Sequence, residues 1–229
     1  MDTFLNFSLL YKMETKPLTI PVSESIGTVS GLIVQPDMMK SMLVLAHGAG
    51  AAMRHPFMES LAIKLAECSI GTLRFNFPFT ENGKKRPDPP PIAEKTVAVV
   101  LSKAKELYPQ VSIFAAGKSF GGRMSSQYLS KTCPPFVRGI IFYGFPLHPV
   151  GQPAIVRAEH LNTVGIPMLF LQGTRDALAE LSLIKQVCGK LSSATLVTFE
   201  GADHSFKIGK KEIISELASS TDTWIKSLG

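Results

Sequence analysis

The stretch Ala115-Ala116-Gly117-Lys118-Ser119-Phe120-Gly121-Gly122-Arg123-Met124, AAGKSFGGRM, admits two readings with different consequences for the fold. In one, Lys118-Ser119 closes a phosphate-binding loop. In the other, Ser119 is a nucleophile. A loop of the pattern G-x-x-x-x-G-K-[ST] needs its first glycine so that the chain can turn and aim successive backbone N–H groups at the phosphates. Counting back from Gly117, that position is Ser112. Ser112 lies inside Val111–Ala116, an apolar, partly β-branched run that reads as a buried strand, so the loop would have to form within the strand. The phosphate reading fails on spacing. The same residues satisfy G-x-S-x-G as Gly117-Lys118-Ser119-Phe120-Gly121, a sharp strand-to-helix turn that presents a serine hydroxyl at its apex.

Working outward, the flanking segments alternate in period. Leu18 to Val22 and Val29 to Val34 read as two short strands joined by a Ser/Glu/Gly turn, an antiparallel start. Ser41 to Ala46 is a buried strand. Pro56 to Cys68 then sets Phe57, Leu61, Leu65 and Cys68 at helical spacing. Thr72 to Phe75 is the next strand. Phe77 to Pro91, FPFTENGKKRPDPPP, holds five prolines and the basic triplet Lys84-Lys85-Arg86, and reads as a long surface loop without regular structure. A helix over Ile92 to Leu107, the strand Val111 to Ala116, a helix over Gly121 to Leu129 and the strand Val137 to Tyr143 follow. A loop over Gly144 to Pro153, the strand Pro167 to Gln172, a helix from Ala177 to Val187, the strand Ala194 to Phe199 and a helix over Glu212 to Ser227 complete the pattern. The expectation is an α/β fold with a mostly parallel sheet, an antiparallel N-terminal start and helices on both faces. Residues 1–229 read as a single domain with no internal repeat and no cap.

Composition agrees with one packed domain: 229 residues, 45% hydrophobic and 18% charged. Lys and Arg number 24 against 18 Asp and Glu, a net +6 that reads as a solvated surface rather than a nucleic-acid footprint. The odd, scattered cysteines Cys68, Cys133 and Cys188 fit neither a disulfide framework nor a metal site, and point to a reducing cytoplasm. The opening MDTFLNFSLLYKMETK lacks the features of a secretory leader, and no run approaches the ~20 apolar residues that span a bilayer. No membrane association is expected.

In a parallel α/β sheet, ligands bind outside the carboxyl ends of the strands. The residues after four strands here are His47-Gly48-Ala49-Gly50-Ala51, the Ser119 turn, Gly173-Thr174-Arg175-Asp176, and Gly201-Ala202-Asp203-His204-Ser205-Phe206. A hydroxyl, a carboxylate and an imidazole thus arrive in the chain order Ser, Asp, His. A serine hydroxyl needs a base to take its proton as it attacks, and His204 is the candidate. Asp176 would accept the other ring N–H, fix the tautomer and stabilise the imidazolium. The oxyanion would be met by the backbone N–H groups of Phe120 and Ala49. Asp203 is the rival acid, but a residue adjacent to the histidine rarely points correctly, and turn formation explains it. His47 reads as a shaper of its loop, and His55, His148 and His160 as structural. Met53, Met58 and Met124 read as core. Arg123, one turn into the helix after Ser119, reads as a partner in a local salt bridge, with substrate binding as the alternative. Lys84-Lys85-Arg86 reads as a solvated tip, with the alternative that it steers an anionic substrate.

Taken together, Gly48-Ala49-Gly50-Ala51 with His55-Pro56-Phe57-Met58, Arg74-Phe75-Asn76-Phe77-Pro78-Phe79, the Ser119 block, Gly144-Phe145-Pro146-Leu147-His148-Pro149, Gln172-Gly173-Thr174-Arg175-Asp176 and Asp203-His204-Ser205-Phe206 resemble the small α/β-hydrolases. The resemblance runs from Val29 onward. It is strongest to the dienelactone-hydrolase-related subfamily, which includes a testis-expressed hydrolase-like protein and the hydrolase-like domain of a nonspecific-lethal chromatin-complex subunit. It implies the hydrolase fold, a Ser119/Asp176/His204 triad, and no metal or organic cofactor. Dienelactone hydrolases proper carry a cysteine nucleophile where this chain has Ser119, so lactone chemistry is not implied. The expected activity is cleavage of a small-molecule carboxylic ester, with thioester or amide as lesser options, and with Phe77, Phe79, Phe145 and Leu147 lining an apolar acyl pocket. The competing reading is a non-catalytic module that offers its surface to a protein partner, although nothing in the sequence singles out such a partner.

Overall fold

The computed structural model describes residues 13–229. Residues 1–12, most of the segment read above as lacking a leader's features, lie outside it.

The apolar runs pair into one eight-stranded sheet. Its strands are β1 (Met13–Ser23), β2 (Gly27–Pro36), β3 (Ser41–Ala46), β4 (Ile70–Phe75), β5 (Ser112–Lys118), β6 (Val137–Tyr143), β7 (Met168–Gly173) and β8 (Ala194–Phe199), in the spatial order β1-β2-β4-β3-β5-β6-β7-β8. β1 and β2 are antiparallel, β2 meets β4 antiparallel, and every pairing from β4 to β8 is parallel. β3, β4 and β7 are buried at every residue, as strands covered on both faces must be. Helix α1 (Pro56–Glu67) carries the chain from β3 to β4 on one side. The next crossover, through α3 (Pro90–Leu107), brings β5 to the other side of β3. The order of winding therefore reverses at β3, and the crevice opens beyond the carboxyl ends of β3 and β5.

Two cores flank the sheet. Val97 and Val100 of α3, Met124 of α4 (Phe120–Lys131) and Ile184 of α5 (Leu181–Lys190) pack on one face; Leu61 and Leu65 of α1 with Leu217 and Trp224 of α6 (Ile214–Ser227) pack on the other. Each fully buried aliphatic contributes on the order of 2 kcal/mol of transfer free energy.

The strands agree with the sequence reading; the connections depart from it. Within 77–91, Pro78–Glu81 forms a short helix, α2, and α3 begins at Pro90 rather than Ile92. Proline suits the first turn of a helix because the N–H it lacks has no partner there. Phe77 and Phe79 are fully buried, so the first part of this segment is an anchored cover rather than a surface loop, while Lys84–Arg86 is exposed as expected. Helix α5 starts at Leu181, not Ala177, because Asp176 Oδ1 accepts the Leu178 N–H at 2.8 Å and His148 Nε2 accepts the Glu180 N–H at 3.1 Å, holding residues 177–180 in a turn. A 3-10 helix over Val156–Thr163 and a hairpin of β9 (Lys207–Ile208) with β10 (Lys211–Glu212) carry no periodic signal in the sequence. Among the described residues no cap domain covers the crevice, and no helix is long and apolar enough to cross a membrane.

Candidate active site

The turn from β5 into α4 holds Ser119 at φ 51°, ψ −115°, a conformation that a residue with a side chain adopts only under constraint. Close packing supplies the constraint. A Cβ on Gly121 would overlap the Ala46 carbonyl of β3, and one on Gly117 would overlap the backbone of Gly122, so both glycines of G-x-S-x-G are required for helix α4 to approach the sheet. Ser119 N–H donates to Tyr143 O at 3.3 Å, tying the turn to β6. Its side chain faces a cavity of about 610 Å³.

Asp176 and His204 come from the ends of β7 and β8. His204 Nδ1 lies 2.7 Å from Asp176 Oδ2, and the Asp176 side chain is fully buried. The carboxylate has no free oxygen: Oδ1 takes the Leu178 N–H at 2.8 Å, and Oδ2 also accepts from Gln172 Nε2 at 2.5 Å. Gln172 is itself locked, since its Oε1 accepts the Phe145 N–H at 3.1 Å. A buried carboxylate so engaged is an acceptor only, so Nδ1 carries the proton and Nε2 is left with its lone pair. His204 lines the same cavity as Ser119. Among the described residues no hydrogen bond joins the Ser119 hydroxyl to the imidazole. Asp203 behaves as a turn residue: its Oδ1 accepts the N–H groups of Ser205 and Lys207 at 2.8 and 2.9 Å.

His47 closes the other wall. Nδ1 lies 2.8 Å from Gly48 O and Nε2 accepts the Phe77 N–H at 3.1 Å, which fixes one neutral tautomer; burial pushes its pKa down to about 4. The Gly48–Ala51 loop is thereby held over the cavity. Ala49 and Phe120, the expected oxyanion donors, border the same hollow as Ser119, and among the described residues neither N–H meets a protein acceptor. His55 caps α1, His148 holds the Asp176 turn and His160 bonds Ser126, which accounts for the remaining imidazoles.

The expected acyl pocket is corrected. Phe77, Phe79, Phe145 and Leu147 are buried in the core and border neither cavity beside Ser119. Phe77 and Phe79 pack edge-on against His47 and Phe120, and Phe145 packs against Phe142 and Phe170, so their rings brace the site from behind. The apolar wall is made instead by Phe57 and Met58 of α1, with Leu178 opposite. Met58 is thus more than core filling.

Two residues had no assigned role. Gln172 is a lone amide ending a run of buried apolar residues, a signal that a fixed hydrogen-bonding task exists there. Lys118, the residue that made the sequence resemble a phosphate loop, instead donates to the His204 carbonyl at 2.5 Å, with its ammonium 5.3 Å from the Phe206 ring centroid and 5.9 Å from that of Phe57. Burial lowers its pKa to about 8, partly opposed by Asp176 and Asp203. Gly144, at φ +73°, leaves room for both: a Cβ there would lie 3.2 Å from Lys118 Nζ and 3.4 Å from the His204 ring. Arg123 does not form the expected salt bridge; among the described residues it has no carboxylate within 4.0 Å, and its Nε is buried without a partner. No cluster of three or more metal-ligating side chains occurs among the described residues.

A strand order that reverses at β3, an eight-stranded mostly parallel sheet and a strained serine turn at its crevice define the α/β-hydrolase fold. The chain matches the alpha/beta hydrolase domain family over residues 39–226, and it belongs to that family. Solved structures agree on the fold. A dienelactone hydrolase from Anabaena variabilis superposes with a TM-score of 0.77 at 18% identity, covering 94% of this chain and 98% of its own. An alpha-beta serine hydrolase homologue from Coxiella burnetii gives 0.74 at 23% identity, covering 94% and 99%. A serine hydrolase without a lid from Xanthomonas campestris gives 0.73 at 19%, covering 93% and 94%.

Proposed function

We propose that this chain is a single-domain serine hydrolase of the carboxylesterase type, with Ser119 as nucleophile, His204 as base and Asp176 as its orienting acid. One observation carries the reading: the imidazole that shares Ser119's cavity is fixed through Nδ1 by a fully buried carboxylate, leaving Nε2 to act as a base.

Ser119 Oγ attacks the ester carbonyl carbon while His204 Nε2 takes the hydroxyl proton. The carbonyl oxygen becomes an oxyanion held by the Ala49 and Phe120 N–H groups, each such donor contributing roughly 3 kcal/mol to the barrier reduction. Collapse breaks the C–O bond, and the alcohol leaves with the proton from His204. Water then attacks the acyl-Ser119 carbonyl as His204 takes its proton; the carboxylic acid departs and the proton returns to Oγ. Thioesters and amides fit the same steps with a different leaving group. No step needs a metal or organic cofactor.

The combined sequence blocks support placement beside the dienelactone-hydrolase-related subfamily. The open crevice and the lining by Phe57, Met58 and Leu178 support a small-molecule ester rather than a peptide, a nucleic acid or a membrane lipid. The unpaired cysteines support a cytoplasmic location. The test is hydrolysis of activated 4-nitrophenyl esters by the wild type and by Ser119→Ala, with circular dichroism to verify folding. Loss of turnover in the folded variant is expected. Undiminished turnover would remove Ser119 from the nucleophile role, and inactivity of both proteins would favour a non-catalytic module that uses the fold as a binding surface.

A further inference from the structure

Ser119 stands at the junction of two cavities that differ in chemistry. The first, already described, contains His204 and the apolar wall, and its cations are engaged: Lys207 pairs with Glu212 at 3.3 Å and Lys118 donates to the His204 carbonyl. The second, about 380 Å³, also borders Ala49, Ser119 and Leu178 but extends the opposite way, over the start of α4. Its rim carries Arg86 from the segment before α3, Arg123 from α4 and Arg157 from the 3-10 helix. Three separate segments thus bring guanidinium groups to one hollow.

These charges are not neutralised internally. Among the described residues none of the three arginines has a carboxylate within 4.0 Å. Asp88, the only acid among the described residues that borders the hollow, is turned away to Phe79, whose N–H its Oδ2 accepts at 2.7 Å, and it pairs with none of the three. Arg123 Nε is buried without a hydrogen-bond partner, and Arg123 is held below the usual arginine range by burial and by the like charge of Arg157. Two like-charged guanidinium groups held close together repel each other, and an anion bound between them offsets that repulsion. Arginine's fork also suits carboxylate oxygens.

The reaction fixes which part of the substrate occupies this hollow. His204 must hand its proton to the leaving oxygen, and His204 borders the first cavity but not the second. The leaving group therefore departs along Phe57 and Met58, and the acyl chain, on the opposite side of the scissile carbonyl, extends toward the arginines. Resting on the serine-hydrolase reading above, we propose that the enzyme selects esters whose acyl part ends in an anionic group, such as half-esters of short dicarboxylic acids, with Arg123 and Arg157 binding that anion and Arg86 at the entrance.

Two esters with the same leaving group test this: 4-nitrophenyl butyrate and mono-4-nitrophenyl glutarate, whose acyl chains differ by a terminal carboxylate. The quantity read is the ratio of their kcat/KM values. The wild type should favour the glutarate, and Arg123→Gln or Arg157→Gln should each lower the ratio about tenfold or more, the scale of one charge-assisted hydrogen bond. The two variants alter different elements, so misfolding of one leaves the other informative. Lys185→Gln, which removes an exposed cation bordering neither cavity, should leave the ratio unchanged. Turnover of the butyrate without preference for the glutarate, or a ratio that neither arginine variant moves, or an equal fall in Lys185→Gln, overturns the proposal while leaving Ser119 in place. Turnover of neither ester overturns the hydrolase reading on which it rests.

Discussion

Lys118→Met exchanges a largely buried ammonium for an apolar chain of similar length, and the structure sets the direction in which its effect on stability depends on pH. Burial is the first cause of the depressed Lys118 pKa, about 8 in the folded chain against 10.5 for the free group. The unfolded chain therefore holds a proton between those values that the folded chain has given up. Stability rises with pH wherever the unfolded state binds more protons. Wild-type protein should accordingly gain stability from this group as pH climbs from 7 to 10. Integrating the two titrations over that interval gives a gain on the order of 2 to 3 kcal/mol. Lys118→Met has no such titration, and its loss of the hydrogen bond to the His204 carbonyl is independent of pH. Cysteines and tyrosines that titrate in the same range are common to both proteins and cancel in the difference. The assay is urea denaturation of both at pH 7, 8, 9 and 10. The difference, wild type minus variant, should rise steadily by about 2 to 3 kcal/mol. A flat or falling difference would refute the burial of the Lys118 ammonium against His204.

Other outcomes follow from the same geometry. His47 and His160 both titrate at about 4 in the folded chain, against 6.5 unfolded, so acid should weaken the protein. The unfolded chain takes up protons the folded one refuses as pH falls from 6.5 to 4, at a cost of up to about 3 kcal/mol per histidine, measurable as a falling urea midpoint. Asp176→Asn should fold but lose roughly a thousandfold or more in kcat on a 4-nitrophenyl ester, because an amide can donate to Nδ1 and leave the proton on Nε2, where the base is needed. Less than a tenfold loss would exclude Asp176 as the orienting acid.

The inner strands were legible because a strand buried on both faces must be a continuous apolar run, as in Ser41–Ala46 and Met168–Gly173. The Ser119 turn was legible for a related reason: Gly117 and Gly121 are required by close packing, and close packing leaves a mark on sequence. Segments fixed by distant partners left weaker marks. The start of α5 depends on Asp176 and His148, neither of which is visible from local periodicity. The aromatic rings of Phe77, Phe79 and Phe145 sit near the crevice in sequence terms, but a loop aromatic can face either the cavity or the core, and spacing does not distinguish them. The pairing of Arg123 with Arg157 joins α4 to a 3-10 helix with no apolar rhythm, so the charge cluster exists only once the chain has folded. Gln172 was the exception among missed residues, since an amide in a buried run advertises a partner.

An imidazole that shares a cavity with the Ser119 hydroxyl is proposed to activate it. Incubation of the folded protein with a fluorophosphonate, followed by peptide mass spectrometry, measures this most directly. A single phosphonyl adduct on Ser119 is expected, formed far more slowly in His204→Ala. An unmodified Ser119, or an adduct whose rate ignores the loss of His204, would contradict it.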